Sequence, residues 1–148
     1  VVQTYHTERR SMTISISKMY SFDAAHMLWN DEWTADENRE VFGKCSRLHG
    51  HTYTLDVTIE GPVDPETGMI LNYFDLDKIV KPIVDGQLDH QNLNEVFMGR
   101  LTTAENMVDI LSDWIDAALY EQYSDERNFY LVMVALSETP KTSAVWSR

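Results

Sequence analysis

The stretch from His49 to Glu60 limits what this sequence can fold into more than any other. Tyr53, Leu55, Val57 and Ile59 alternate with Thr54, Asp56, Thr58 and Glu60. A period of two marks a strand with one buried face and one wetter face. Such a strand needs neighbours and a layer over its apolar side, so it demands a sheet covered on one face. Carried back, the same parity puts His49 and His51 beside Tyr53 and Leu55. Two imidazoles there are either a packed pair or two teeth of a metal site.

The remaining elements follow from similar patterns. A strand is predicted over 13–22, with Ile14, Ile16, Tyr20 and Phe22 on one side and Lys18 as the exception. Extending its parity adds Ala24 and His26. Leu76, Ile79, Val80, Ile83 and Val84 share one face of a helix predicted over 73–86, and Pro82 inside it predicts a kink or break. Met107, Ile110, Leu111, Trp114, Ile115, Ala118 and Leu119 define a second helix, with Thr102 and Glu105 at capping-box spacing at its start. Phe129 to Leu136 reads as a buried strand and Ser143 to Trp146 as a last one. Asn30 to Arg39 reads as an acidic loop with a helical turn at Asp36–Val41, and Met69 to Leu71 as a short extended run. Residues 1–12 read as a loose arm before a single domain, 13–148. The order predicts an α+β fold: a four-stranded antiparallel sheet with two helices on one face.

Composition narrows the function. The 148 residues carry a formal charge of −12, which argues against nucleic acid or an anionic membrane as partner. No apolar run reaches the ~18–20 residues of a bilayer span, and residues 1–12 lack the apolar run of a secretory leader. One cysteine excludes an internal disulfide and fits a reducing cytoplasm. A small anionic substrate is compatible if local cations offset the field. Arg39, Lys44 and Arg47 cluster around Cys45 and either do this or are solvated surface charges.

His26, His49 and His51 come from two strands at compatible parity. A three-imidazole set leaves one coordination position open, the catalytic form of a zinc site. Cys45 is a fourth ligand, an inert buried thiol, or a reactive thiolate whose pKa falls beside Lys44, Arg47 and a metal. Asp89 and His90 form a proton-transfer pair or a turn aspartate with a surface imidazole. Glu138, ending a buried strand, must be paired or await a ligand with matching donors. Glu105 has a structural explanation as the capping residue.

Taken together these stretches resemble the 6-pyruvoyl-tetrahydropterin synthase and 6-carboxytetrahydropterin synthase family. The matching segments are Phe22-Asp23-Ala24-Ala25-His26, Phe42-Gly43-Lys44-Cys45, Leu48-His49-Gly50-His51, Asp64-Pro65-Glu66-Thr67-Gly68-Met69, Leu88-Asp89-His90, Leu93-Asn94, Thr102-Thr103-Ala104-Glu105-Asn106 and Ser137-Glu138-Thr139. They run in family order over about 13–147. The resemblance implies the tunnelling fold, in which sheets of several subunits close into barrels and active sites lie between subunits. It implies a homo-oligomer, a hexamer built as a dimer of trimers. It implies Zn2+ on His26, His49 and His51 and dihydroneopterin triphosphate as substrate. It also implies a cysteine base at Cys45, an Asp–His relay at Asp89 and His90, and a pterin-anchoring carboxylate at Glu138, with Glu105 and Thr103 near the pterin.

Two members compete. Three residues separate Cys45 from His49, as in the carboxy enzymes of the 7-deazapurine (queuosine) pathway, where the pyruvoyl enzymes commonly have five. The long segment from Asn30 to Lys44 and Asn72 after Met69 look more like the pyruvoyl side. Because the spacing lies at the expected base, the expectation is the carboxy enzyme, releasing triphosphate and acetaldehyde. The pyruvoyl enzyme of tetrahydrobiopterin biosynthesis is the alternative, followed by a zinc- or pterin-binding protein without turnover.

Overall fold

The computed structural model describes residues 13–148, so the expected arm over 1–12 lies outside the described residues. Strands β1 (Ile14–His26), β2 (His49–Gly61), β3 (Tyr130–Thr139) and β4 (Thr142–Ser147) form one antiparallel sheet in sequence order. Helices α1 (Ala35–Phe42), α2 (Tyr73–Ile83), α3 (Leu93–Val96) and α4 (Ala104–Tyr123) lie in the connections. The α+β class and the four-stranded sheet are as expected.

The β1–β2 register runs from Ile14 opposite Gly61 to His26 opposite His49. β1 therefore continues past the predicted end at Phe22, because His49 to Tyr53 supply backbone partners to its last residues. One face of the sheet carries Tyr20, Phe22, Ala24, Tyr53, Leu55, Val57, Ile59, Val134 and Leu136, all buried. Leu76, Ile79, Val80 and Ile83 of α2 and Met107, Leu111, Ile115 and Leu119 of α4 complete the same core. Each large apolar side group removed from water contributes roughly 1.5–3 kcal/mol, so this face decides where the helices sit.

Lys18, the exception in the parity of β1, has a partner across the layers. Its Nζ meets Asp77 Oδ1 of α2 at 2.6 Å, and Tyr20 donates its hydroxyl to the same oxygen at 3.0 Å. A cation on the core-facing side is tolerated because the helix above brings a carboxylate.

Two local expectations are corrected, and one is extended. The helical turn expected at Asp36–Val41 is present as α1, Ala35–Phe42, after a loop over 30–34. Thr34 caps α1, accepting from Glu37 N while Glu37 bonds back to Thr34 N, a reciprocal capping box. Ile70 and Leu71 form bends after Met69 rather than an extended segment. At the start of α4 the cap is Thr103, which accepts from Asn106 N at 3.3 Å; Thr102 lies one residue too early. Pro82 behaves as expected. It offers no N–H to the preceding turn, and α2 ends at Ile83 and widens into a π turn over Val84–Leu88.

Candidate active site

The three histidines meet at one end of the core-facing side of the sheet. His26 and His49 are direct cross-strand partners, and His51 is opposite Ala24. Their ring centroids are 4.7 to 5.2 Å apart. One ligand atom from each falls within 4.8 Å of the others. Period two put the rings on one face, and antiparallel register brought the two strands level.

Their hydrogen bonds prepare them for a cation. His26 Nδ1 is 2.9 Å from the carbonyl oxygen of Thr102, and His49 Nδ1 is 2.7 Å from that of Arg47. A carbonyl can only accept, so each Nδ1 carries the hydrogen and each Nε2 keeps a lone pair. His26 Nε2 is buried without a partner. Burial pushes the His26 imidazole down to about 4, helped by the neighbouring rings of His49 and His51 and opposed by the Thr102 bond. Burial lowers the His51 pKa as well, against the nearby Glu138 charge. Neutral imidazoles with free Nε2 lone pairs fit a divalent metal. Cys45 is not in the converging donor set among the described residues.

The Asp89–His90 pair reaches this end of the sheet along the outer edge of β1. Ala25 N donates to the Gln91 carbonyl at 3.0 Å, and His90 N to the Asp23 carbonyl at 2.6 Å. Asp23 N returns a bond to Asp89 Oδ1 at 2.9 Å, while Asp89 Oδ2 is 2.8 Å from His90 Nδ1. The Asp23 N–H and the His90 ring hold the Asp89 carboxyl below its ordinary value. His90 has φ 58°, a left-handed conformation rare outside glycine. It turns the ring onto an open cleft of about 600 Å³ that His51, Gly50, Thr52 and Asn92 also line.

Glu138 lies on the other side of His26, its Oε1 3.8 Å from His26 Nε2. It lines a second cavity with Thr103, Glu105 and Leu28, so the three expected substrate contacts converge. Since Thr103 is the helix cap, Glu105 is freed of the structural task assigned to it and stands exposed in the first turn of α4. Cys45 is partly exposed in a short 3₁₀ turn, Gly43–Ser46, and its carbonyl accepts from Leu28 N at 2.8 Å. Neither cavity counts Cys45 among its lining residues.

Sequence reasoning missed two contributors. Thr102 supports His26 through its backbone carbonyl, which no residue type could reveal. Tyr53 reads as core from its parity, yet its ring packs edge-on to His26 and His51 and its hydroxyl is buried without a partner.

No helix among the described residues is long and apolar enough to cross a membrane. The family model described as 6-pyruvoyl tetrahydropterin synthase matches residues 15–148. A 6-pyruvoyl tetrahydrobiopterin synthase of Dictyostelium discoideum is 35% identical over 92% of this chain and 97% of its own. A 6-carboxy-5,6,7,8-tetrahydropterin synthase of Bacillus subtilis is 29% identical over 97% and 92%. The solved structure of Caenorhabditis elegans 6-pyruvoyl tetrahydropterin synthase superposes with a TM-score of 0.77 at 31% identity, covering 93% of this chain and 96% of that one. With the motifs in family order, the sheet matched and three histidines converging where the motifs put them, this chain belongs to the 6-pyruvoyl tetrahydropterin synthase family of enzymes.

Proposed function

We propose that the protein is a zinc-dependent lyase that converts dihydroneopterin triphosphate to 6-pyruvoyl tetrahydropterin with loss of triphosphate. The observation that carries the reading is the His26–His49–His51 set, with the tautomers of His26 and His49 fixed by carbonyls, beside the Asp89–His90 cleft and the Glu138 cavity. The product is assigned as pyruvoyl because the Dictyostelium and C. elegans proteins carrying that name are 35% and 31% identical, against 29% for the carboxy enzyme. This departs from the expectation drawn from the Cys45–His49 spacing. That spacing is the observation favouring the second reading, a 6-carboxytetrahydropterin synthase.

His26, His49 and His51 would hold the zinc, which when bound supplies Lewis acidity toward the hydroxyls of the substrate's C6 substituent. Glu138 accepts N–H donors of the pterin, a two-point contact suited to a carboxylate. Thr103 and Glu105 line the same cavity. Cys45, as thiolate, takes a C–H proton from that substituent. Asp89 holds His90 with its hydrogen on Nδ1, leaving Nε2 to exchange a proton from the cleft shared with His51. Loss of triphosphate is then an elimination. Lys44 and Arg47, exposed on either side of Cys45, offset the acidic field for the triphosphate. In the single subunit the His90 imidazole is 78% exposed, which supports further copies of the protein closing the site in a hexamer.

The test is incubation of the zinc-loaded protein with dihydroneopterin triphosphate and identification of the pterin formed. A 6-pyruvoyl product supports the first reading. A 6-carboxy product with acetaldehyde selects the second. Triphosphate release that survives chelation of the metal overturns both.

A further inference from the structure

Tyr53 and Glu138 flank the same histidine. The Tyr53 ring packs edge-on to His26 and His51 with centroids 5.9 and 5.4 Å away, and stacks flat on Phe22 at 5.0 Å. Those rings fix its orientation. Tyr53 is fully buried, and its hydroxyl has neither a protein partner nor access to solvent. A buried hydroxyl left unpaired is costly, and replacing it by hydrogen in a core is the cheaper solution. Glu138 presents the complementary gap. Its carboxylate is mostly shielded, and its Oε1 at 3.8 Å from His26 Nε2 is beyond hydrogen-bond reach. The two residues come from neighbouring strands on one face, one step beyond the Thr54–Ser137 pair.

We infer that Tyr53 is a positioning residue for Glu138, donating its hydroxyl hydrogen to one carboxylate oxygen so that the other faces the ligand's N–H donors. His26 Nε2 keeps a lone pair and has no hydrogen to offer the carboxylate, so Tyr53 is the donor available to it on that wall. This rests on the proposed pterin site, since it assigns the task of Glu138 there.

The experiment is binding of neopterin, followed by its fluorescence, to zinc-loaded wild type, Y53F, E138A and the double variant. Zinc content and melting temperature are measured on each. Y53F is expected to keep its zinc and remain folded, because it loses only an oxygen. It should bind neopterin about tenfold more weakly, the size of one hydrogen bond to a charged group. In the E138A background the same change should cost nothing further, since the effect runs through the carboxylate. Wild-type affinity in Y53F, or an equal loss in the E138A background, overturns the inference. If wild type binds no neopterin, the pterin reading fails instead. The pair is then decided by a crystal structure of the zinc-loaded protein: Tyr53 Oη within hydrogen-bond distance of Glu138 supports it, and any wider separation overturns it.

Discussion

His26 and Thr102 are 76 residues apart in the sequence, yet the His26 ring donates to the Thr102 carbonyl at 2.9 Å. That bond fixes the tautomer and aims a bare Nε2 at His49 and His51. The Thr102 hydroxyl donates to the Met27 carbonyl at 3.1 Å, and Asn94 bonds both N and O of Met27 at 2.8 Å. The end of β1 is thus clamped by α3 and the loop before α4, so the ligand wall is braced before any ion arrives.

Replacing His26 by Ala is expected to leave a folded protein that no longer retains zinc. Loss of a supporting bond to a ligand costs metal affinity about 10–100-fold, and loss of the ligand itself should cost more. Metal analysis after dialysis, with circular dichroism as the folding control, checks it.

Asp89→Asn should slow turnover by about 10²–10⁴-fold with little change in KM, the usual contribution of a positioned proton-transfer group. Asp89 fixes the His90 ring rather than the pterin, which Glu138 would hold. A matching rise in KM would place Asp89 in binding instead.

Reversing charge at Lys44 and Arg47 to Glu should raise KM for the triphosphate substrate and leave neopterin binding unchanged. The wild-type KM should rise with salt, because exposed charges are screened beyond about 10 Å at 0.1 M. The doubly reversed variant should lose that salt dependence. Steady-state rates at several ionic strengths separate the two.

Asp77 gives a pH signature away from the site. The Lys18 ammonium and the Tyr20 hydroxyl hold its carboxyl below the ordinary 3.8. A depressed folded pKa stabilises the fold above the unfolded value and loses that contribution as pH falls through the folded one. The melting-temperature gap between wild type and Asp77→Asn should therefore be full at neutral pH and shrink below about pH 4. A gap constant down to pH 2 would refute the assignment.

Gly61→Ala should destabilise by about 1–3 kcal/mol, the cost of overpacking a filled site. Its new Cβ would meet the Phe129 Cβ at 2.8 Å. Thermal melts read the change directly.

Much of the site could be read from residue order because a strand alternates its faces without reference to anything distant. That rule put His49, His51 and, across a second strand, His26 on one side. The same local reasoning failed at residue 102. Thr102 and Thr103 both stand near a helix start at plausible cap spacing, and only the path of the backbone selected Thr103. It also passed over the capping box of Thr34 and Glu37, although a helical turn is expected at Asp36–Val41. Lys18 broke its strand's pattern until Asp77 arrived from α2.

Period, composition and motif order by themselves determined the α+β sheet, the three imidazoles and the family. These are properties of neighbouring residues, and local geometry suffices for them. Tertiary structure alone decided which lone pairs stay free, that Asp89 and His90 run along β1, and that Glu138 and Tyr53 both neighbour one histidine. Those depend on carbonyls and side groups brought together across tens of residues, where hydrogen-bond direction and burial act and spacing along the backbone holds no information.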